Sequence, residues 1–246
     1  MQHDAVIVGG AFAGLAAATY LARARRRVCV IDAGQPRNRF AEASHGFLGW
    51  DGSDPSSILA GARAQLAAYP GVTFIEGEAS QATVRGDGFA VSLAGGEEIA
   101  ARKAILAFGL RDELQPIPGL QERWGRTVLH CPYCHGFEFS DRPLGVLFRT
   151  PLSVHQACLV AEWGPTTLFL NGAALAPGDA ERLARHGVTV EPGRVARLLG
   201  EGSALSGAEF EDGRVRALAA LYVAPQSCLA SPIAERLGGA IDDGPA

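Results

Sequence analysis

Lysine is almost missing from this chain: Lys103 is the only one, and arginine supplies the remaining basic side chains. We read that skew as the base composition of the gene and not as function. Blocks of positive charge are missing too. Arg23 to Arg27 form the one short cluster, and with a net charge of -4 the chain has no electrostatic footprint for nucleic acid or anionic lipid. The cluster suits the end of a helix, where cations meet the negative end of the dipole. No apolar run is long enough to span a bilayer, and Met1-Gln2-His3-Asp4-Ala5-Val6-Ile7-Val8 reads as a strand rather than a signal peptide. The expected location is cytoplasmic. A regular cysteine framework is absent as well. Of five cysteines, Cys29, Cys158 and Cys228 stand singly, which agrees with a reducing compartment where a dithiol is used rather than locked.

The other two cysteines are adjacent in a pattern: Cys131-Pro132-Tyr133-Cys134, followed directly by His135, Gly136 and Phe137. Two thiols at this spacing can close a small disulfide ring. Half a zinc site would share the spacing, but no second pair or Cys/His cluster completes four ligands, so zinc is the weaker reading. A purely structural disulfide is a further alternative, although so short a loop constrains little chain and stabilises only slightly. Reversible redox chemistry explains the spacing better. Tyr133 and Phe137 are expected to pack around the dithiol, and His155 and His186 to be structural or solvated.

With 246 residues and 48% hydrophobic side chains, the chain can bury one sizeable core or two smaller ones, and two subdomains are expected. Ala5-Val6-Ile7-Val8 is a fully apolar strand, Gly9-Gly10-Ala11-Phe12-Ala13-Gly14 a tight turn, Leu15 to Ala24 an Ala/Leu-rich helix, and Val28 to Ile31 a second strand ending in Asp32. In such a βαβ unit the helix N-terminus aims N–H groups at a pyrophosphate, and the acid after the second strand accepts from a ribose hydroxyl. The fingerprint departs from G-x-G-x-x-G at Ala11, where a methyl group stands in place of the second glycine.

A long polar, glycine-rich stretch follows, containing Arg37, Arg39 and Ser44-His45-Gly46-Phe47-Leu48-Gly49. Arg37 and Arg39 either neutralise the pyrophosphate or stack on adenine, or they belong to a solvated loop. Asp54 is expected to cap, and Pro55 to open, a helix running to about Tyr69. Strands near Val72 to Glu76, Ala82 to Arg85, Phe89 to Leu93 and Lys103 to Phe108 are expected to form a small antiparallel sheet of their own.

The glycine turn at Gly9 to Gly14, Asp32, the strand Ala104-Ile105-Leu106-Ala107-Phe108-Gly109 and the Cys131-Pro132-Tyr133-Cys134-His135-Gly136-Phe137-Glu138 motif, in this order and spacing, resemble the low-molecular-weight thioredoxin reductase family. The likeness covers nearly the whole chain. Pro36-Arg37-Asn38-Arg39-Phe40, Ser44 to Gly49 and His135 look most like the branch of flavin-dependent dithiol oxidases that close disulfides in gliotoxin-type and holomycin-type natural products. The resemblance implies an α/β protein with two Rossmann-like domains, the second inserted in the first. It places an FAD-binding segment at residues 1–114, an inserted NAD(P)-binding-like domain carrying the cysteines at 115–241, and a stub of the returning flavin segment at 242–246. It implies FAD held by Gly9, Gly10, Ala11, Phe12, Ala13, Gly14, Asp32, Arg37, Arg39 and Gly109, with His45 either against the flavin or bonded within its own loop. Cys131 would exchange with substrate and Cys134 would contact the flavin. His135 stands where a thioredoxin reductase carries an acid, and suits proton transfer near pH 7; a histidine bonded to a nearby carbonyl is the alternative. His130 is a weaker second candidate. A homodimer is implied too.

Two departures from the family bear on function. The second βαβ unit, a strand Leu144 to Phe148, a helix to Trp163 and a strand Thr166 to Leu170, has no glycine in its turn. Pro151 removes an N–H and Leu152 is bulky. Asn171-Gly172 stands where a reductase places arginines for a 2'-phosphate, so the NAD(P)H site reads as degenerate. The chain also ends at Asp242-Asp243-Gly244-Pro245-Ala246, where the family's closing flavin segment would begin, so weak FAD binding is expected. The favoured reading is oxidation of substrate dithiols through the Cys131–Cys134 disulfide and flavin to dioxygen, with a small-molecule dithiol as partner. The alternatives are a thioredoxin reductase-like enzyme acting on a thioredoxin-like protein with NADPH or another donor, and a flavin-free remnant without catalysis.

Overall fold

In a computed structural model of the chain, which describes residues 3–242, β1 (His3–Val8) leads through α1 (Phe12–Arg23) to β2 (Val28–Asp32). β1 and β2 run parallel, with Ala5 opposite Val28 and Val8 opposite Ile31. This is the βαβ unit expected from the sequence. Val6, Ile7, Val28 and Val30 are fully buried, and cover on both faces is why these strands are uninterrupted apolar runs. Arg23 lies in the last turn of α1. α2 (Pro55–Ala67) begins as predicted: the Asp54 carboxylate accepts from the amides of Ser56 and Ser57 at 3.2 and 3.0 Å, and Pro55 opens the helix.

β3 (Val72–Glu76), β4 (Ala79–Arg85), β5 (Gly88–Leu93) and β6 (Glu98–Leu106) lie near their predicted positions, but their pairing corrects the expected separate antiparallel sheet. All four join β1 and β2 in one sheet of order β3-β2-β1-β6-β5-β4. β3 runs parallel to β2 and β6 parallel to β1, while β4 and β5 form an antiparallel edge. β6 joins the two styles because it is long: Glu98 to Ala101 pair with β5, and Ala101 to Leu106 pair with β1. Local alternation marks a strand without naming its partner.

After β7 (Leu110–Glu113) come β8 (Val128–Leu129), α3 (Pro132–His135), β9 (Leu144–Leu147), α4 (Leu152–Val160), β10 (Thr166–Phe169), α5 (Asp179–Arg185) and β11 (Thr189–Glu191). β12 (Val195–Leu199), β13 (Gly207–Phe210) and β14 (Val215–Ala217) form a small antiparallel sheet, and β15 (Ala220–Val223) completes a five-stranded parallel sheet of order β11-β10-β9-β15-β8. β16 (Gln226–Leu229) pairs with β7, and α6 (Ile233–Arg236) follows.

The described residues divide into two compact units: 3–39, 53–111 and 227–242 form the first, and 40–52 with 112–226 the second. In the first, Leu15 and Ala18 of α1 and Leu66 of α2 pack with Ile7 and Val30 on one face of the sheet, and Ile233 of α6 packs with Val6, Ile31 and Val91 on the other. Because α6 buries Ile233 there, the chain belongs to the first unit from Ser227, upstream of the Ile241 boundary read from the sequence. Of the expected stub at 242–246, all but Asp242 lies outside the described residues. In the second unit, α4 and α5 cover Leu144, Val146, Leu168 and Tyr222, and Val128, Phe169, Phe210 and Leu221 form the opposite layer. Among the described residues no helix is long and apolar enough to cross a membrane.

Candidate functional site

The first unit presents a turn that only glycine can make. Gly9 has φ +110°, and a Cβ there would lie 2.2 Å from the Ala107 carbonyl oxygen; one on Gly14 would lie 1.8 Å from that of Gly9. A Cβ on Gly10 would meet the Asp32 side chain at 2.6 Å. The turn, the end of the crossover strand at Ala107 to Gly109, and Asp32 are therefore drawn together. Ala11 is extended at the start of α1, Phe12 and Ala13 open the helix, and no side chain caps it. The Asp32 carboxylate accepts from Arg63 Nη1 at 2.6 Å and the Gly34 amide at 3.1 Å. A carboxylate has about four acceptor sites, so Asp32 retains capacity for a ribose hydroxyl. The residues present fit a dinucleotide: a glycine-lined helix start for the pyrophosphate and an acid for the ribose. Arg37 donates to Ser227 Oγ at 3.4 Å and Arg39 to the Pro36 carbonyl at 3.0 Å, which places both in this unit.

In the second unit Cys131 and Cys134 are joined as a disulfide, with Cα atoms 5.3 Å apart. Cys131 precedes the single turn of α3, and its Sγ accepts from the Cys134 amide at 3.2 Å. An N–H aimed at Sγ favours the thiolate once the disulfide opens. The turn is held from behind by Trp163: a Cβ on Gly136 would lie 2.6 Å from the indole, and the Tyr133 ring meets it edge-on at 5.5 Å. Gln156 of α4 donates to the His130 carbonyl at 2.9 Å, fixing the chain just before Cys131, while the His130 residue is exposed. The expectation that Tyr133 and Phe137 wrap the dithiol is corrected, since they are 74% and 81% exposed. A one-turn helix has a single inner face, and buried Pro132 and Gly136 take it. Cys29 and Cys158 are buried, and burial pushes the Cys29 thiol up to about 11, so it stays protonated at neutral pH.

His135 is half-buried at the end of α3. Burial pushes its imidazole below the ordinary histidine value, Glu138 works against that shift and His45 adds to it, so the neutral form prevails at pH 7. His45 lies in this second unit. Its ring meets that of His135 edge-on at 6.2 Å. Its Nε2 is 3.5 Å from Glu138 Oε1, and its Nδ1 is 3.7 Å from Asp51 Oδ1. His155 and His186 are engaged elsewhere, His155 with the Arg182 guanidinium at 3.3 Å and His186 with the Arg182 carbonyl at 2.9 Å.

The turn between β9 and α4 is filled by its own side chains. Ser153 is fully buried, and its Oγ accepts from the amides of Arg149 and Thr150 at 3.0 and 3.4 Å. Pro151 has no N–H to offer. After β10, the Asn171 side chain accepts from the Val195 amide at 2.9 Å, and Gly172 lies against the Arg194 guanidinium, where a Cβ would be 2.6 Å from Cζ. Sequence reasoning did not single out Ser153, Trp163, Arg63, Glu138 or Asp51. Ser153 and Asp51 act within six residues of their partners and Glu138 stands three residues beyond His135, whereas Arg63 and Trp163 act across distances that the sequence leaves open.

The first unit thus carries a glycine-lined cradle that fits a dinucleotide, and the second carries a Cys-x-x-Cys disulfide between β8 and β9 of a parallel sheet. The family model described as pyridine nucleotide-disulphide oxidoreductase matches residues 3–160, and the chain belongs to that family. A protein named thioredoxin reductase tcpT, from Claviceps purpurea, is 35% identical over 72% of this chain, which spans 58% of that relative's length. The crystal structure of an oxidoreductase from Agrobacterium tumefaciens is 42% identical, with a TM-score of 0.94 over 100% of this chain and 82% of its own. The crystal structure of HlmI is 40% identical, with a TM-score of 0.93 over 96% of this chain and 76% of its own. The α/β Rossmann-like fold and the thioredoxin reductase-like resemblance are thus borne out.

Proposed function

We propose that the chain is an FAD-dependent dithiol oxidase that closes a disulfide in a small-molecule dithiol, with Cys131, Cys134 and His135 as its catalytic residues. The observation that carries this reading is the contrast between the two strand–turn–helix units: the first turn is glycine-lined at Gly9, Gly10 and Gly14, whereas the second has amides taken by Ser153 and is interrupted by Pro151. That contrast supports FAD at Gly9 to Gly14 and argues against a nicotinamide dinucleotide at β9–α4. A substrate thiol gives its proton to neutral His135 as its sulfur attacks Cys131 Sγ. The Cys131–Cys134 bond breaks, its electron pair goes to Cys134 Sγ, and the proton received by His135 passes to that thiolate. The second substrate thiol then attacks the substrate sulfur of the mixed disulfide, its proton passes to the Cys131 thiolate that this frees, and the substrate leaves as the closed disulfide. FAD, when bound, accepts the two electrons of the enzyme dithiol and passes them to dioxygen.

The test is the visible spectrum of the purified chain under anaerobic conditions, first with a dithiol and then with NADPH, alongside a count of alkylatable thiols. The expected result is a flavin band bleached by dithiol, indifferent to NADPH and restored by air with peroxide release. Bleaching by NADPH would instead establish the reductase reading. A colourless protein whose disulfide still opens would point to the flavin-free one.

A further inference from the structure

The second unit holds a cavity that the redox chemistry leaves unused. Cys131 follows the carboxyl end of β8, whereas the cavity opens at the amino ends of β9, β10 and β11, the opposite edge of the same parallel sheet. It measures about 180 Å³, where one water needs roughly 10–15 Å³. Every lining residue belongs to the second unit. Pro143, Pro165 and Leu218 give the cavity apolar walls, Arg216, Thr167 and Thr189 give it polar groups, and no acidic side chain lines it.

Arg216, on β14, donates through Nη1 to Thr167 Oγ1 at 2.7 Å, and among the described residues it makes no other hydrogen bond and no ion pair. The carboxylates that could have neutralised it are spent on Arg214: Glu191 of β11 gives that side chain both oxygens at 2.8 and 3.1 Å, and Asp212 pairs with it at 2.7 Å. A guanidinium carries five N–H donors, and Arg216 uses one of them inside the protein. Thr167 is only 6% exposed and its oxygen already accepts from Arg216, so its hydroxyl proton is a buried donor left to be placed. Thr166 differs, since its hydroxyl donates to the Gly164 carbonyl at 2.9 Å. Thr189 stands directly opposite Thr167 in the β10–β11 register, so both side chains project from one face of the sheet.

Donors thus converge on a space without an acceptor, and the ligand that satisfies them is one that accepts only. The planar fork of a guanidinium meets a carboxylate through two parallel bonds, and the proline and leucine walls suit a short apolar body behind it. We propose that this cavity binds a small organic carboxylate with a short aliphatic body, held by Arg216 and Thr167 with Thr189 beside them, at a site separate from the disulfide.

The test titrates the purified full chain with sodium butyrate at fixed ionic strength, following heat by calorimetry and threonine methyl signals by NMR, with inorganic phosphate and chloride as comparison probes. Saturable butyrate binding is expected, with a dissociation constant on the order of 1 mM and methyl shifts centred on Thr167 and Thr189. Arg216→Gln should weaken it about tenfold or more, and Thr189→Val, at an exposed side chain, by a few-fold. Arg197→Gln, on the same small sheet but paired with Glu209 at 2.7 Å, should leave the constant unchanged. Absence of saturation, an affinity that survives Arg216→Gln, or an equal loss with Arg197→Gln overturns the site. Phosphate or chloride binding as tightly as butyrate overturns the ligand class. Circular dichroism melts identify any unfolded variant; Thr189→Val and the methyl shifts of the unaltered chain then decide.

Discussion

Two strand–turn–helix units in this chain share one architecture and treat it in opposite ways. At β1–α1, three glycines strip the turn of side chains and no residue caps the helix; at β9–α4, a buried serine hydroxyl takes two of the turn's amides and a proline removes a third. On the proposed reading, a dinucleotide site is made by what a turn leaves unsatisfied and not by the βαβ topology around it. Both sheets are parallel and both helices pack well.

The comparison breaks most visibly if the open turn is filled. Gly14→Ala puts a methyl group 1.8 Å from the Gly9 carbonyl oxygen, where backbone must move. We expect loss of flavin retention and a drop in stability of about 1–3 kcal/mol, read from the visible spectrum and a urea transition. Next in size is Asp32→Asn, which leaves Arg63 without its 2.6 Å partner and weakens acceptance from ribose. Its dissociation constant for FAD should rise on the order of tenfold, as one lost charge-assisted bond implies. An unchanged constant would mean that Asp32 only orders Arg63.

The closed turn gives the third test. Ser153→Ala should destabilise by about 1 kcal/mol, because two amides lose their acceptor, yet NADPH should still fail to bind, since Pro151 remains. Tight NADPH binding in that variant would show that Ser153 alone had blocked the site, and the contrast between the turns would shrink to one hydroxyl. The smallest effect concerns pH. The folded-state pKa of His135 lies below its ordinary 6.5, so between those two values the unfolded chain binds more protons than the folded one. Stability should therefore fall as pH drops through that window, and His135→Asn should flatten the slope in melts recorded at several pH values.

Much of the first unit was legible because its signals are local. An apolar run, a glycine turn, a helix and an acid at the strand end fix β1–α1–β2 with few long-range decisions, and the Asp54-Pro55 pair announces its helix through backbone bonds two and three residues away. The sheet partners of β3 to β6 were not legible, because the alternation of Ala82 to Arg85 or Phe89 to Leu93 says which face is buried and not which strand lies alongside. The Cys-x-x-Cys pair was evident from spacing, but its exposed Tyr133 and Phe137 were not, since only the packing of Gly136 on Trp163 reveals which side of α3 faces inward.

By itself the sequence determined a dinucleotide turn, an acid to follow it, a redox-capable cysteine pair with a histidine beside it, and a second turn without glycine. These are local facts of backbone freedom and residue chemistry. The tertiary structure alone decided that His45 joins His135 and Glu138 and that Arg63 holds Asp32. Side chains far apart in sequence meet only when sheets and loops have chosen their partners, and that choice is made by burial summed over the whole chain.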